Sequence, residues 1–176
     1  MLLLGACGSD SGAPADAAMA NDAASDADPA RALVPGERVG PIKLGARWAD
    51  VVAALGAPPA EPVVLVRIGH VTWPAAGLEA LLTSPAETTL TDDAIVIGAG
   101  ATAGAALLGP ALPGDTRQTI ESVLGAAPEV YGGRAYYPIG LAVEYDDAQR
   151  ARRVGVVAPY TLNPAPPPML PSAGLP

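Results

Sequence analysis

Two stretches of the chain carry an apolar stripe at helical spacing, and each lies between a pair of glycines. Between Gly45 and Gly56, Trp48, Val51, Val52 and Leu55 recur at i, i+3, i+4 and i+7, the stripe of a short amphipathic helix. Between Gly114 and Gly125, Ile120, Val123 and Leu124 supply the stripe, and Asp115 or Thr116 can cap its start. Gly56 and Gly125 suit the position just past a helix end, and Pro59 and Pro128 prevent continuation. Helices this short are not stable alone and must lie on a sheet. Strand patterns follow each: 62–68 and 70–73, separated by Gly69, then 77–83 and 93–98, and later 135–137, 141–146 and 153–158. Leu141, Val143 and Tyr145 alternate with Ala142 and Glu144, which predicts one buried and one wet face.

The two stretches line up. Both glycine pairs have the same spacing, and a proline stands three residues after the second glycine. Trp73-Pro74 with Gly77-Leu78 matches Tyr137-Pro138 with Gly140-Leu141, and Asp92-Asp93 echoes Asp146-Asp147. The expected fold is therefore α+β: two repeats of a short helix followed by an antiparallel β-meander, sharing one sheet and core. The expected division is 1–6 as the end of a signal peptide, 7–31 as a lipidated cysteine with an Ala/Asp-rich tether, 32–100 and 101–161 as the repeats, and 162–176 as a proline-rich extended or disordered tail.

The amino terminus supplies a location. Leu4-Gly5-Ala6-Cys7 ends a short apolar run, and Cys7 is the single cysteine of the chain. These four residues resemble the lipobox of bacterial lipoproteins, in which small side chains precede a cysteine that becomes acylated. The resemblance implies a diacylglyceryl thioether, and an N-acyl chain, on Cys7, and so a lipid bilayer as first partner. The charged start of a signal peptide is missing, so the coding start is expected upstream. Gly8 rather than Asp follows the cysteine, which favours the outer membrane. The segment after it carries five Asp before Arg31 and no large apolar run, and as a flexible coil would reach roughly 25–30 Å.

The repeat motif Leu44-Gly45, Val51/Val52, Leu55-Gly56, Pro59 and a Gly-Leu strand resembles two groups. One is the SmpA/OmlA-type lipoproteins of the outer-membrane β-barrel assembly machinery; the other is the β-lactamase inhibitor protein. The resemblance spans roughly 35–160. The chain departs from both groups in having one Lys, no Phe and Arg117 where the first helix has Trp48, and no binding residue transfers from either.

Charge and chemistry narrow the function. The net charge of −8 is largely that of the acidic segment. The one basic cluster, Arg150, Arg152 and Arg153, reads as a solvated turn, so a nucleic-acid role is excluded. Gly98, Gly100 and Gly104 imitate a dinucleotide loop, but Gly109-Pro110 stops the helix such a site needs. Asp92, Asp93, Asp146 and Asp147 read as turn residues ahead of a calcium or acid–base pair. His70 stands alone where zinc wants three or four ligands. No cofactor or metal is expected, and no catalytic residue is assigned. The expectation is a non-catalytic binding or scaffold module of the cell envelope with an envelope protein partner, contacted through exposed aromatics among Trp73, Tyr136 and Tyr137. An inhibitor of a secreted enzyme is the alternative, and an envelope hydrolase using His70 or the Asp pairs the less favoured one.

Overall fold

The structure, a computed structural model, describes residues 28–131 and 133–160; Cys7, the acidic segment up to residue 27 and the proline-rich 162–176 lie outside the described residues. The two helices fall where the glycine pairs predict. Helix α1 spans Trp48–Leu55 and helix α2 spans Arg117–Leu124. Gly56 and Gly125 end them with the same backbone, φ +80° in both, which a residue with a Cβ adopts only under strain. The Thr116 side chain accepts the Thr119 N–H at 3.2 Å, whereas at α1 the Asp50 carboxylate reaches back to the Arg47 N–H at 3.4 Å. Trp48, Val51 and Ile120 are buried, but Val123, expected in the stripe of α2, points to solvent.

The predicted fold class is corrected by what surrounds these helices. Among the described residues the fold is mostly β, 40% strand against 14% helix, and is not two helix-plus-meander repeats. A first small sheet holds β1 (Leu33–Val34), β2 (Arg38–Val39) and β3 (Ile42–Lys43). The strands after α1 are β4 (Val63–Leu65), β5 (Ile68–Trp73), β6 (Leu78–Thr83) and β7 (Ile95–Thr102). Those after α2 are β8 (Glu129–Tyr131), β9 (Arg134–Tyr137), β10 (Leu141–Tyr145) and β11 (Ala151–Val157). All eight belong to one antiparallel sheet, ordered β4-β5-β6-β7-β11-β10-β9-β8. The seam is the pairing of β7 with β11, with Gly100 opposite Gly155. Helices of two turns cannot balance this much strand. The small-residue run Gly98–Thr102 pairs with Arg153–Val157 across the seam and closes a single sheet.

Two strand expectations change as well. The break expected at Gly69 is not there: β5 runs through it, because Gly69 leaves room for Leu90, whose Cδ2 would lie 2.5 Å from an added Cβ. The turn falls instead at Val66 and Arg67, both at positive φ (+46° and +69°). Gly98 and Gly100 sit inside β7 rather than in a loop, so the dinucleotide-like motif is strand.

The main core lies on one face of the large sheet. Val71, Trp73, Leu78, Ala80, Leu82, Val96, Ala99, Leu141, Val143, Val154 and Val156 meet α1, α2 and the small sheet through Trp48, Val51, Ile120, Leu33, Val39 and Ile42. A second, smaller cluster of Tyr136, Ala142 and Val157 lies on the opposite face, with Tyr160 packed against it.

Candidate functional site

That opposite face is the candidate site, and strand alternation decides what it carries. Residues one position out of step with the core point to it: Val63 and Leu65 from β4, Ile68, His70 and Thr72 from β5, Glu79, Leu81 and Thr83 from β6. Gly98 and Gly100 come from β7, Arg153, Gly155 and Val157 from β11, and Ala142, Glu144, Arg134 and Tyr136 from β10 and β9. At the bulge in β7, Ile97 has no partner on β6 and turns outward beside Gly98.

A ladder of charged side chains crosses the middle of this face. His70 Nε2 lies 3.2 Å from Glu79 Oε2, and Glu79 Oε1 lies 2.7 Å from Arg153 Nε. The second contact is an ion pair, because the Arg153 N–H is not aimed at that oxygen. Arg153 also stands 3.8 Å from Glu144, which takes Arg134 Nε at 3.1 Å and Arg152 on its other oxygen. Glu79 is 2% exposed, Arg153 6% and Glu144 8%. Burial lowers the Arg153 pKa, because desolvation penalises its charged form, and the Glu79 carboxylate opposes that shift. Gly100 makes the ladder possible. An added Cβ there would lie 2.5 Å from Glu79 Oε1, so the glutamate lies across the glycine to reach β11.

Beside the ladder, at the β4 end, the face is apolar. Val63, Leu65 and Ile97 are exposed, and Ile68, Leu81 and Ile95 are half-buried around them. The β4–β5 turn projects from this patch with Val66 84% exposed.

The residues singled out from sequence fare differently. Trp73, Tyr136 and Tyr137 are all buried, which removes them as exposed contact points. Trp73 stacks 6.0 Å from Trp48 and donates its Nε1–H to the Gly56 carbonyl; Tyr137 is in the main core, and Tyr136 is in the second cluster. Asp146 Oδ1 accepts the Arg150 N–H at 2.8 Å inside the β10–β11 turn, and Asp93 faces Arg47 at 3.6 Å. The expected solvated cluster of Arg150, Arg152 and Arg153 is divided: Arg150 bonds the Gly114 carbonyl, Arg152 reaches Glu144, and Arg153 is buried against Glu79. His70 is brought to Glu79. Among the described residues no group of three or more His, Cys, Asp or Glu is placed to hold a metal, and no helix is long and apolar enough to cross a membrane. Sequence reasoning missed Glu79, Arg134 and Arg153 as partners. The available signal was a lone charge in β6 and in β9, and an adjacent arginine pair in β11, within otherwise largely apolar strands.

An open cleft of about 340 Å³ lies on the helix side, lined by Arg117, Ala135, Tyr145, Asp146, Asp147 and Gln149 among others. The Arg117 guanidinium there is taken up by Glu121 at 2.7 Å and sits 5.7 Å over the Tyr145 ring.

Compared with known protein families, with characterised proteins and with solved structures, the chain finds no match in any of the three.

Proposed function

We propose that the chain is a membrane-anchored bacterial envelope lipoprotein that acts as a non-catalytic binding or scaffold module, with the face of the large sheet opposite the helices as its contact surface. The observation that carries this reading is the apolar patch of Val63, Leu65, Ile68, Leu81, Ile95 and Ile97 on that face. Exposed aliphatic side chains gathered on one rigid strand surface fit a protein partner with an aliphatic surface of its own. The lipobox supports the anchor: acylation of Cys7 would hold this face close to a bilayer and to envelope proteins.

The test has two arms. Labelled palmitate in the native host should enter the wild-type chain and not a Cys7→Ser variant. A photo-crosslinker at position 97 should give one discrete envelope adduct, lost when Leu65 and Leu81 are both changed to Glu. Crosslinking that survives those two changes would sink the contact surface, and an unlabelled wild type would sink the anchor.

The projecting Val66–Arg67 turn favours a second reading, an inhibitor of a secreted enzyme. A preformed hairpin tip with an exposed apolar side chain suits insertion into a cleft. In that case the position-97 adduct would contain a secreted enzyme whose activity falls on binding, and Val66→Asp would restore it.

A further inference from the structure

The large sheet ends in two edge strands, β4 and β8, each paired on one side among the described residues. An edge strand presents unpaired N–H and C=O groups, and proteins commonly blunt it with charge. Strand β4 carries no charge: it is Val63, Val64 and Leu65, with the first and last exposed. The direction of its backbone groups follows from its neighbours. The Ser84 N–H donates to the Arg67 carbonyl at 2.7 Å, so Arg67 faces β6 and, by alternation, Ile68 faces β4. Val66 and Arg67, both at positive φ, form a two-residue turn closed by Leu65 and Ile68. Leu65 and Val63 therefore bond to β5, while Val64, opposite Gly69, turns both its N–H and its C=O to the open side.

We propose that β4 is the pairing edge of a homodimer: two copies lie antiparallel about a two-fold axis at Val64 and join their large sheets into one. In that register the outward N–H and C=O of Val64 meet those of the second copy, giving two hydrogen bonds on the axis. Val63 lies beside Leu65 of the second copy on the face opposite the helices, so the two apolar patches become continuous. Charge selects the same register. Glu61 and Arg67 stand three residues to either side of Val64, both are exposed, and among the described residues neither is in an ion pair. The two-fold axis brings Glu61 of each copy to Arg67 of the other, two complementary pairs.

Two further observations single out this edge and this register. The next position facing the open side is Pro62, which has no N–H, so a strand shifted along β4 finds no second donor there. The other edge fails the test of self-complementarity. Turned about Val130, β8 sets Glu129 against Tyr131 and Ala127 against Gly133, with no opposite charge. Pairing at β4 also covers the Val66–Arg67 turn, which is then not free to enter an enzyme cleft. The inference goes beyond the proposed contact surface and does not depend on it. Ile97 lies three strands in from the β4 edge. At about 4.8 Å per strand the two copies of Ile97 are roughly 34 Å apart in the dimer, so a crosslinker at position 97 reports an envelope partner and not the second copy.

The experiment uses the full chain with Cys7→Ser, which leaves no other cysteine. Sedimentation equilibrium should show a monomer–dimer equilibrium at concentrations up to about 1 mM. Glu61→Arg and Arg67→Glu should each weaken the dimer roughly tenfold, since each sets like charges together at both symmetric contacts, and the double exchange should restore it. Under mild oxidation Val64→Cys should form a disulfide between copies, because the Cα atoms of such a bonded pair lie about 5.5 Å apart, and Val130→Cys on the other edge should not. A chain still monomeric at about 1 mM would overturn the proposal. So would a dimer indifferent to both charge reversals, a double exchange no better than the single ones, or a disulfide formed no faster at position 64 than at 130. Oligomers that keep growing with concentration would overturn it in favour of β4 pairing with β8. The crosslink guards against loss of folding in the charge variants, because Val64→Cys changes neither a charge nor a backbone hydrogen bond.

Discussion

Removing Glu79 while keeping Arg153 leaves a guanidinium buried beside β6 with its main counter-charge gone. Breaking a buried pair in this way costs about 3–5 kcal/mol, whereas replacing both partners by apolar residues of similar volume is often neutral or stabilising. Glu79→Leu alone should therefore lower the urea midpoint sharply, and Glu79→Leu with Arg153→Met should recover most of the loss. Equal loss in the single and double variants would show that the ladder is not a coupled unit. Tyrosines give a second expectation at this scale. Burial pushes the Tyr160 phenol up to about 12 and raises Tyr137 and Tyr145 as well. A phenol whose pKa rises on folding stabilises the fold while neutral, fully below about pH 10, and that contribution disappears as the pH climbs toward 12. Stability measured by denaturant should be flat from pH 8 to about 10 and fall above it, and Tyr160→Phe should reduce the fall. These roles were hidden in the sequence. Leu141 to Glu144 alternate as if one side were wet, yet both sides are buried, and alternation alone cannot tell a solvated face from a covered one.

Among the elements, the helices were the legible part. Paired glycines mark their ends, and the apolar spacing between them gives the buried side, since local chemistry fixes both. The small sheet β1–β3 was not legible because strands of two residues contain no period to detect. The β4–β5 hairpin was misplaced for a different reason. Its turn residues, Val66 and Arg67, are not turn formers, while Gly69, which looks like a break, is a strand residue making room for Leu90. A β-branched residue at positive φ stores roughly 1–3 kcal/mol of strain. Changing Val66 to Asn and Arg67 to Gly, the pair suited to a tight hairpin, should raise the thermal midpoint. If the midpoint falls, the turn is not the strained geometry described above. The same variant should weaken partner crosslinking if the exposed valine is part of the contact.

For the whole molecule, what escaped the sequence reading is the pairing that unites the sheet. Hairpins β5–β6, β9–β10 and β10–β11 join neighbours along the chain, and their alternating patterns announce them. The β7–β11 seam joins Gly98–Thr102 to Arg153–Val157, with α2 and three strands in between, and no local pattern announces such a contact. Two separate meanders and one continuous sheet are indistinguishable until the seam is seen. The candidate site shares this difficulty: His70 and Glu79 lie on one side of the seam and Arg153, Glu144 and Arg134 on the other, so no stretch of sequence contains it.

The seam also sets an order of events for a newly made chain. Closing a long loop costs entropy before its contacts repay it, so neighbouring hairpins mature first and the distant pairing last. Until then Ile95–Thr102 and Ala151–Val157 are both bare edges, rich in Val, Ala and Gly, with only Arg152 and Arg153 to discourage foreign strands. Pulse-labelled hydrogen exchange during refolding should show the Val71 and Val143 amides protected before those at Ala101 and Val154, which face each other across the seam; simultaneous protection would contradict this order. A chain emerging on the far side of a membrane would pass through that vulnerable interval without its final partner strand, and a holding chaperone that grips short aliphatic segments would find its natural substrate there.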